Sequence, residues 1–130
     1  MDDAAGMAEP RTATAGGGPL VSIVVPMKNE EATIASFLAR MRPVLDGLNA
    51  EDGWEILFVD DGSTDATLAM MIDANRADPR IRGISLSRNF GKEAALTAGL
   101  DHVSGQVVVP IDVDMQDPPE VIGAMIDKWR

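Results

Sequence analysis

Trp54-Glu55-Ile56-Leu57-Phe58-Val59-Asp60-Asp61-Gly62-Ser63 (WEILFVDDGS) passes from an aliphatic and aromatic run straight into two carboxylates and a glycine. The run Trp54–Val59 predicts a strand, and Asp60-Asp61-Gly62-Ser63 predicts the turn that closes it. Upstream, Leu20–Val25 (LVSIVV) is a β-branched run read as a buried strand that stops at Pro26. Between the two, Ile34, Phe37, Leu38 and Met41 recur at i, i+3, i+4 and i+7, the stripe of an amphipathic helix. Downstream, Leu68, Met71 and Ile72 mark a second helix, Ile81–Leu86 a third strand, and Leu96, Leu100 and Val103 the apolar face of a third helix. Gln106–Ile111 (QVVVPI) is a fourth strand, in which Pro110 is expected to lose one ladder hydrogen bond. Asp117 and Glu120 form an N-capping box around Pro118-Pro119, before a last helix carrying Val121, Ile122, Met125, Ile126 and Trp129.

Strand and helix alternate throughout, which predicts βαβ units, right-handed crossovers and a mainly parallel sheet. Sheets of this kind bind ligands at the carboxyl ends of their strands. Polar residues gather after each predicted strand: Lys28-Asn29-Glu30, Asp60-Asp61, Ser87-Arg88-Asn89, and Asp112 to Asp117.

Composition narrows the functional classes. The 130 residues include 21 acidic and 11 basic side chains, a formal charge of −10, which argues against a nucleic-acid partner because phosphate backbones require a basic footprint. The length suits one domain. With no cysteine, disulfides and thiolate zinc sites are excluded. No apolar run approaches the ~18 residues needed to span a bilayer. Met1-Asp2-Asp3 is not the start of a secretory signal, so a cytoplasmic location is expected. Residues 1–19, rich in Ala, Gly, Thr and Pro, are predicted to be a disordered tail before a folded part spanning 20–130. Gly16-Gly17-Gly18 precedes the first strand and lacks a P-loop lysine, so it reads as linker.

Three segments carry candidate chemistry. In extended Ile111–Asp117, side chains at i, i+2 and i+4 share a face, which groups Asp112, Asp114 and Gln116. Three oxygen donors with no Lys or Arg nearby repel one another unless a cation sits among them, and oxygen-only ligation favours Mg²⁺ or Mn²⁺. The alternative is an acidic turn that caps the next helix. Asp60 and Asp61 can accept hydrogen bonds from a base or ribose, although a turn rich in Asp and Gly is also ordinary loop chemistry. Arg88 and Lys92, beside a helix start, are candidates for a diphosphate or phosphorylated acceptor. The alternative there is a solvated helix start. His102, the one histidine, is expected to partner a helix C-terminus or to be a surface residue, which leaves no Ser/His/Asp triad.

In this order, VSIVVPMKNE, FVDDGSTDAT, SLSRNFGKEAALTAGL and PIDVDMQDPPE resemble the family 2 glycosyltransferases of the GT-A fold, nearest the branch of dolichyl- and undecaprenyl-phosphate sugar transferases. The resemblance implies an α/β, Rossmann-like, mainly parallel sheet with flanking helices, cut off after the fourth strand-helix unit. It assigns nucleotide binding to Pro26, Asn29 and Glu30, and base and ribose contacts to Asp60 and Asp61. Asp112 and Asp114 match the DxD pair that binds metal and donor diphosphate, Gln116 joins them in the polyprenyl branch, and Arg88 and Lys92 match its RNFGK stretch. The implied reaction is metal-dependent, inverting transfer from a nucleotide diphosphate sugar, UDP favoured over GDP, to a polyprenyl phosphate. Relatives of that branch work at the cytoplasmic face of the membrane.

Two other readings stand beside this one. A phosphorylation-dependent receiver module would place its acid pair after the first strand, whereas here the pair follows the second. A non-catalytic nucleotide-sugar-binding module shares every residue named above. Because the family's domain is longer, the 130-residue chain alone is expected to be inactive and to self-associate through the open edge of its fourth strand, around Val107 and Val109.

Overall fold

The computed structural model describes residues 21–47, 53–103, 105, 107–113 and 124. The elements run β1 (Val21–Met27), α1 (Ile34–Asp46), β2 (Trp54–Asp60), α2 (Thr67–Ala77), β3 (Ile81–Ser85), α3 (Lys92–Leu100) and β4 (Val107–Pro110). The predicted tail, the Asp117–Glu120 capping box and the last helix's apolar stripe lie outside the described residues. So do residues 114–123 and 125–130, on which self-association through β4 turns. Among the described residues, no helix is long and apolar enough to cross a membrane.

All pairings are parallel, in the order β3-β2-β1-β4. The chain steps outward from β1 to β2 to β3, then returns past β1 to lay β4 on its other side. β1 and β2 are therefore internal strands with both faces covered, which explains their unbroken apolar character. One face carries Ile23, Val25, Ile56 and Phe58, packed under Ile34, Phe37, Met41 and Leu45 of α1 and Met71 of α2. Phe37 meets Phe58 edge to face at 5.8 Å and 64°. The other face carries Val24, Leu57, Val59 and Ile84 against Ala95 of α3.

Three sequence expectations change in detail. β1 does not stop before Pro26 but continues to Met27. In a parallel strand both backbone groups of a residue point the same way. The Val24 carbonyl accepts from Ile111 N–H, so Pro26 also faces the β4 side, where pairing has already ended at Val24 and Pro110. Its missing N–H costs no ladder bond. The same rule clears Pro110: Ile111 points at β1, so Pro110 points away, and no bond is lost there either. On α3, the residues laid on the sheet are Ala95 and Gly99. Leu96 and Val103 are half-buried, and Leu100 is 46% exposed. A side chain at Gly99 would come within 2.5 Å of Val24 Cγ1 and 3.0 Å of Val59 Cγ2. The helix rides so close to the sheet that small residues, instead of the leucines, form its contact line.

Candidate functional site

The loops after β1, β2 and β3 meet above the carboxyl edge of the sheet and are sewn together by side chains. Asn29, at φ +54, donates its N–H to Ser63 Oγ (2.8 Å) and accepts from Thr64 N–H (2.8 Å). Glu30 N–H donates to Thr67 Oγ1 (2.8 Å), and Ala66 N–H donates to Glu31 Oε1 (2.9 Å). These bonds fasten the first loop to the second.

The carboxylates at the end of β2 fasten the second loop to the third. Asp60, 2% exposed, accepts from Ser63 N–H (3.1 Å) and lies 3.4 Å from the Ser85 hydroxyl. Asp61, 4% exposed, accepts from Phe90 N–H (2.8 Å) and Gly91 N–H (3.0 Å), one to each carboxylate oxygen. Between them Gly62 holds φ +75, and a Cβ there would lie 2.5 Å from the Asn89 nitrogen. Only glycine lets the second and third loops approach this closely.

Beside these loops a cleft of about 470 Å³ opens at the ends of β1 and β4. That is the point where the strand order reverses, the usual place for a ligand in such sheets. Pro26, Lys28 and Glu30 reach it from the end of β1, Asp61 from β2, Lys92 from α3 and Asp112 from the end of β4. Lys92 Nζ lies 2.5 Å from Asp112 Oδ1, with the two side chains 66% and 49% exposed. Glu30 Oε1 accepts from the Thr33 hydroxyl (2.9 Å).

Of the residues singled out from sequence, Pro26, Glu30, Asp61, Lys92 and Asp112 therefore line one cleft. Asn29, Asp60 and Arg88 are not in that lining. Asn29 is turned to the second loop, Asp60 is buried beneath it, and the Arg88 guanidinium lies 4.8 Å from the centre of the Phe90 ring. Asp114 and Gln116 lie outside the described residues. The expectation that no cation stands near the acidic strand end is corrected: the fold carries Lys92 across to Asp112. Sequence separation hid that pair. His102 fits its expected place, with Nδ1 2.8 Å from the Ala98 carbonyl at the end of α3.

Two groups received no role from the sequence alone. Lys28, noted only among the polar residues that follow the first strand, lines the cleft. Glu55, fully buried, pairs with Arg82 at 2.7 Å and accepts from the Ser22 hydroxyl at 2.6 Å. Arg82 also donates to the His102 carbonyl (3.2 Å), and Gly105 N–H donates to Ser22 Oγ (2.8 Å). This network sits at the opposite, amino end of the sheet. Its signal was a lone charge inside each of two apolar strand runs, since a buried charge requires a partner.

A parallel α/β domain with an acid- and lysine-lined cleft at its switch point belongs to the open-sheet class whose ligands sit at the carboxyl ends of the strands. The model of glycosyl transferase family 2 matches residues 22–130, and the chain belongs to that family. It is 49% identical over 110 residues to an uncharacterized glycosyltransferase of Synechocystis, covering 85% of this chain and 34% of that protein. It is 48% identical to the bactoprenol glucosyl transferase of Shigella phage SfV, covering 85% and 35%. The chain thus spans about a third of the length of the curated relatives it matches. Among solved structures it resembles the Pyrobaculum calidifontis mannosyltransferase in complex with GDP-Man and Mn²⁺, with TM-score 0.70 and 28% identity, covering 86% of this chain and 32% of that one. The fold is of the GT-A type.

Proposed function

We propose that this chain is the nucleotide-binding part of a metal-dependent, inverting glycosyltransferase that moves a sugar from a nucleotide diphosphate sugar to a polyprenyl phosphate. The observation that carries the reading is the switch-point cleft in which Asp112 and Lys92 face each other beside Asp61. The bactoprenol glucosyl transferase similarity supports the acceptor class, and the archaeal neighbour's GDP-Man and Mn²⁺ support the donor class and a divalent cation.

Asp112 fits a cation site on chemical grounds. Its carboxylate is a hard oxygen donor at the cleft wall, half exposed, and already attracts an ammonium group. Asp112, with Asp114 and Gln116 following it in the extended motif, would hold Mg²⁺ or Mn²⁺. When bound, the cation supplies positive charge to the departing diphosphate. Among the described residues, no three His, Cys, Asp or Glu side chains form a metal cluster.

The acceptor phosphate has a second pKa of about 6, so its oxygen is largely ionised at pH 7 and needs little help from a base. It attacks the anomeric carbon from the face opposite the diphosphate. The bond from that carbon to the β-phosphate oxygen breaks as the new one forms, and the configuration inverts. Asp61 acts by holding the Phe90 and Gly91 amides, and with them the Arg88–Lys92 loop, against the cleft.

Calorimetric titration of UDP, UMP, GDP and GMP, with Mn²⁺ and with EDTA, tests the site. The diphosphates should bind more tightly than the monophosphates in Mn²⁺, UDP more tightly than GDP, and EDTA should erase the diphosphate advantage. Diphosphate affinity indifferent to metal would leave the acidic strand end as a helix cap. Transfer from UDP-glucose or GDP-mannose to a short polyprenyl phosphate, assayed in the longer protein, separates an enzyme from a binding module.

A further inference from the structure

We infer that Lys92 exchanges partners when the donor binds: it releases Asp112 to a divalent cation and takes an oxygen of the donor diphosphate instead. The inference rests on the metal-dependent reading above and adds an order of events to it. The Lys92–Asp112 pair is short, yet both side chains are well exposed, at 66% and 49%. Exposed ion pairs contribute little, because water screens them and two flexible chains must be held still. Such a pair is easily exchanged. The other carboxylates of the cleft are engaged differently: Asp61 by the two backbone amides and Glu30 by the Thr33 hydroxyl.

The pivot of the exchange is built in. Gly91 N–H, immediately before Lys92, is bonded to Asp61 Oδ2 at 3.0 Å, and Lys92 opens α3. The backbone at the base of the lysine is therefore anchored to β2 while its four-carbon stem can swing the ammonium group across the cleft. Lys28 and Lys92 are the cations of the lining, against Glu30, Asp61 and Asp112. A diphosphate entering beside Asp112 meets like charge unless that carboxylate is neutralised. An ammonium group drawn toward the diphosphate is drawn away from Asp112. Its transfer to phosphate is favourable only when a cation relieves Asp112, so cation and diphosphate should assist each other's binding.

The test uses Mn²⁺ alone as the first probe. Without nucleotide, Lys92→Gln should raise Mn²⁺ affinity by about two- to fivefold, since a competitor for Asp112 has gone. Lys92→Met, which keeps the stem and drops the charge, should do the same, and Lys92→Arg should stay near wild type. With saturating Mn²⁺, Lys92→Gln should instead weaken UDP binding by about tenfold. Opposite signs in the two titrations are the signature of exchange. If both charge-removing variants leave Mn²⁺ affinity unchanged or lower it while wild type still binds UDP in a metal-dependent way, the exchange is wrong and Lys92 merely braces Asp112. If wild type binds UDP with no dependence on Mn²⁺, the metal reading of the cleft falls together with it.

Discussion

Asp61 shows how one carboxylate can serve a site by arranging its neighbours. Sequence pattern nominates it as a nucleotide contact, yet each of its oxygens accepts a backbone N–H, from Phe90 and Gly91. These are charge-assisted bonds made in a nearly water-free place, and Asp61 is 4% exposed. Asp61→Ala should therefore release the Arg88–Lys92 loop. Losing charged hydrogen bonds of this kind is worth about 1.5–3 kcal/mol, so UDP affinity should fall about tenfold to a hundredfold by calorimetry. Amide exchange at Phe90 and Gly91 should accelerate in the free protein. Slow exchange there, with weakened UDP binding, would make Asp61 a direct contact after all. Asp60 behaves differently: buried under the turn and bonded to the Ser63 amide, it shapes the loop that carries Asp61.

At the scale of elements, charges buried in strands do structural work away from the cleft. Ser22 on β1 pairs in register with Glu55 on β2, and Arg82 on β3 reaches the same carboxylate. Through the His102 carbonyl and Gly105 N–H, the network also ties down the connection from α3 to β4. That connection sets where β4 lies beside β1, and so where Asp112 stands. Arg82→Met would take away the guanidinium that faces the buried Glu55 carboxylate at 2.7 Å. The cost should be about 3–5 kcal/mol, measured by urea denaturation, and the double variant Arg82→Met/Glu55→Met should recover much of it. A loss under 1 kcal/mol in the single variant would mean that water reaches Glu55. The position of α3 follows the same logic of contact. The leucines promised an apolar face by their volume, but the sheet takes Ala95 and Gly99, and at Gly99 Val24 and Val59 leave no room for a side chain.

For the whole molecule, Asp78 links several elements at the sheet's amino end. It caps α2, pairs with Arg80 at 2.9 Å just before β3, and pairs with Arg42 of α1 at 2.8 Å. Arg80 in turn stacks 3.9 Å over the Trp54 ring. The Arg80 guanidinium hydrogen-bonded to Asp78 holds its carboxyl below the ordinary value of 3.8, outweighing the opposing effect of burial. A lowered folded-state pKa contributes stability that is fully present above the unfolded value and is lost as pH falls through the folded one. Asp78→Asn should thus cost about 1 kcal/mol near neutrality, the arginine partners being half exposed, and the gap from wild type should close only below about pH 4. A gap that persists unchanged at pH 2 would assign the effect to packing instead of charge. By itself the sequence determined the α/β alternation, the polar ends of the strands, and the family, because periodicity and turn chemistry are local and four ordered motifs are specific. Tertiary structure alone decided that Pro26 and Pro110 cost nothing, that α3 rests on its small residues, that Asp61 spends its oxygens on the next loop, and that Lys92 meets Asp112. Each of these depends on which neighbour lies across a sheet or cleft, and that is a matter of strand order, which separation along the chain does not encode.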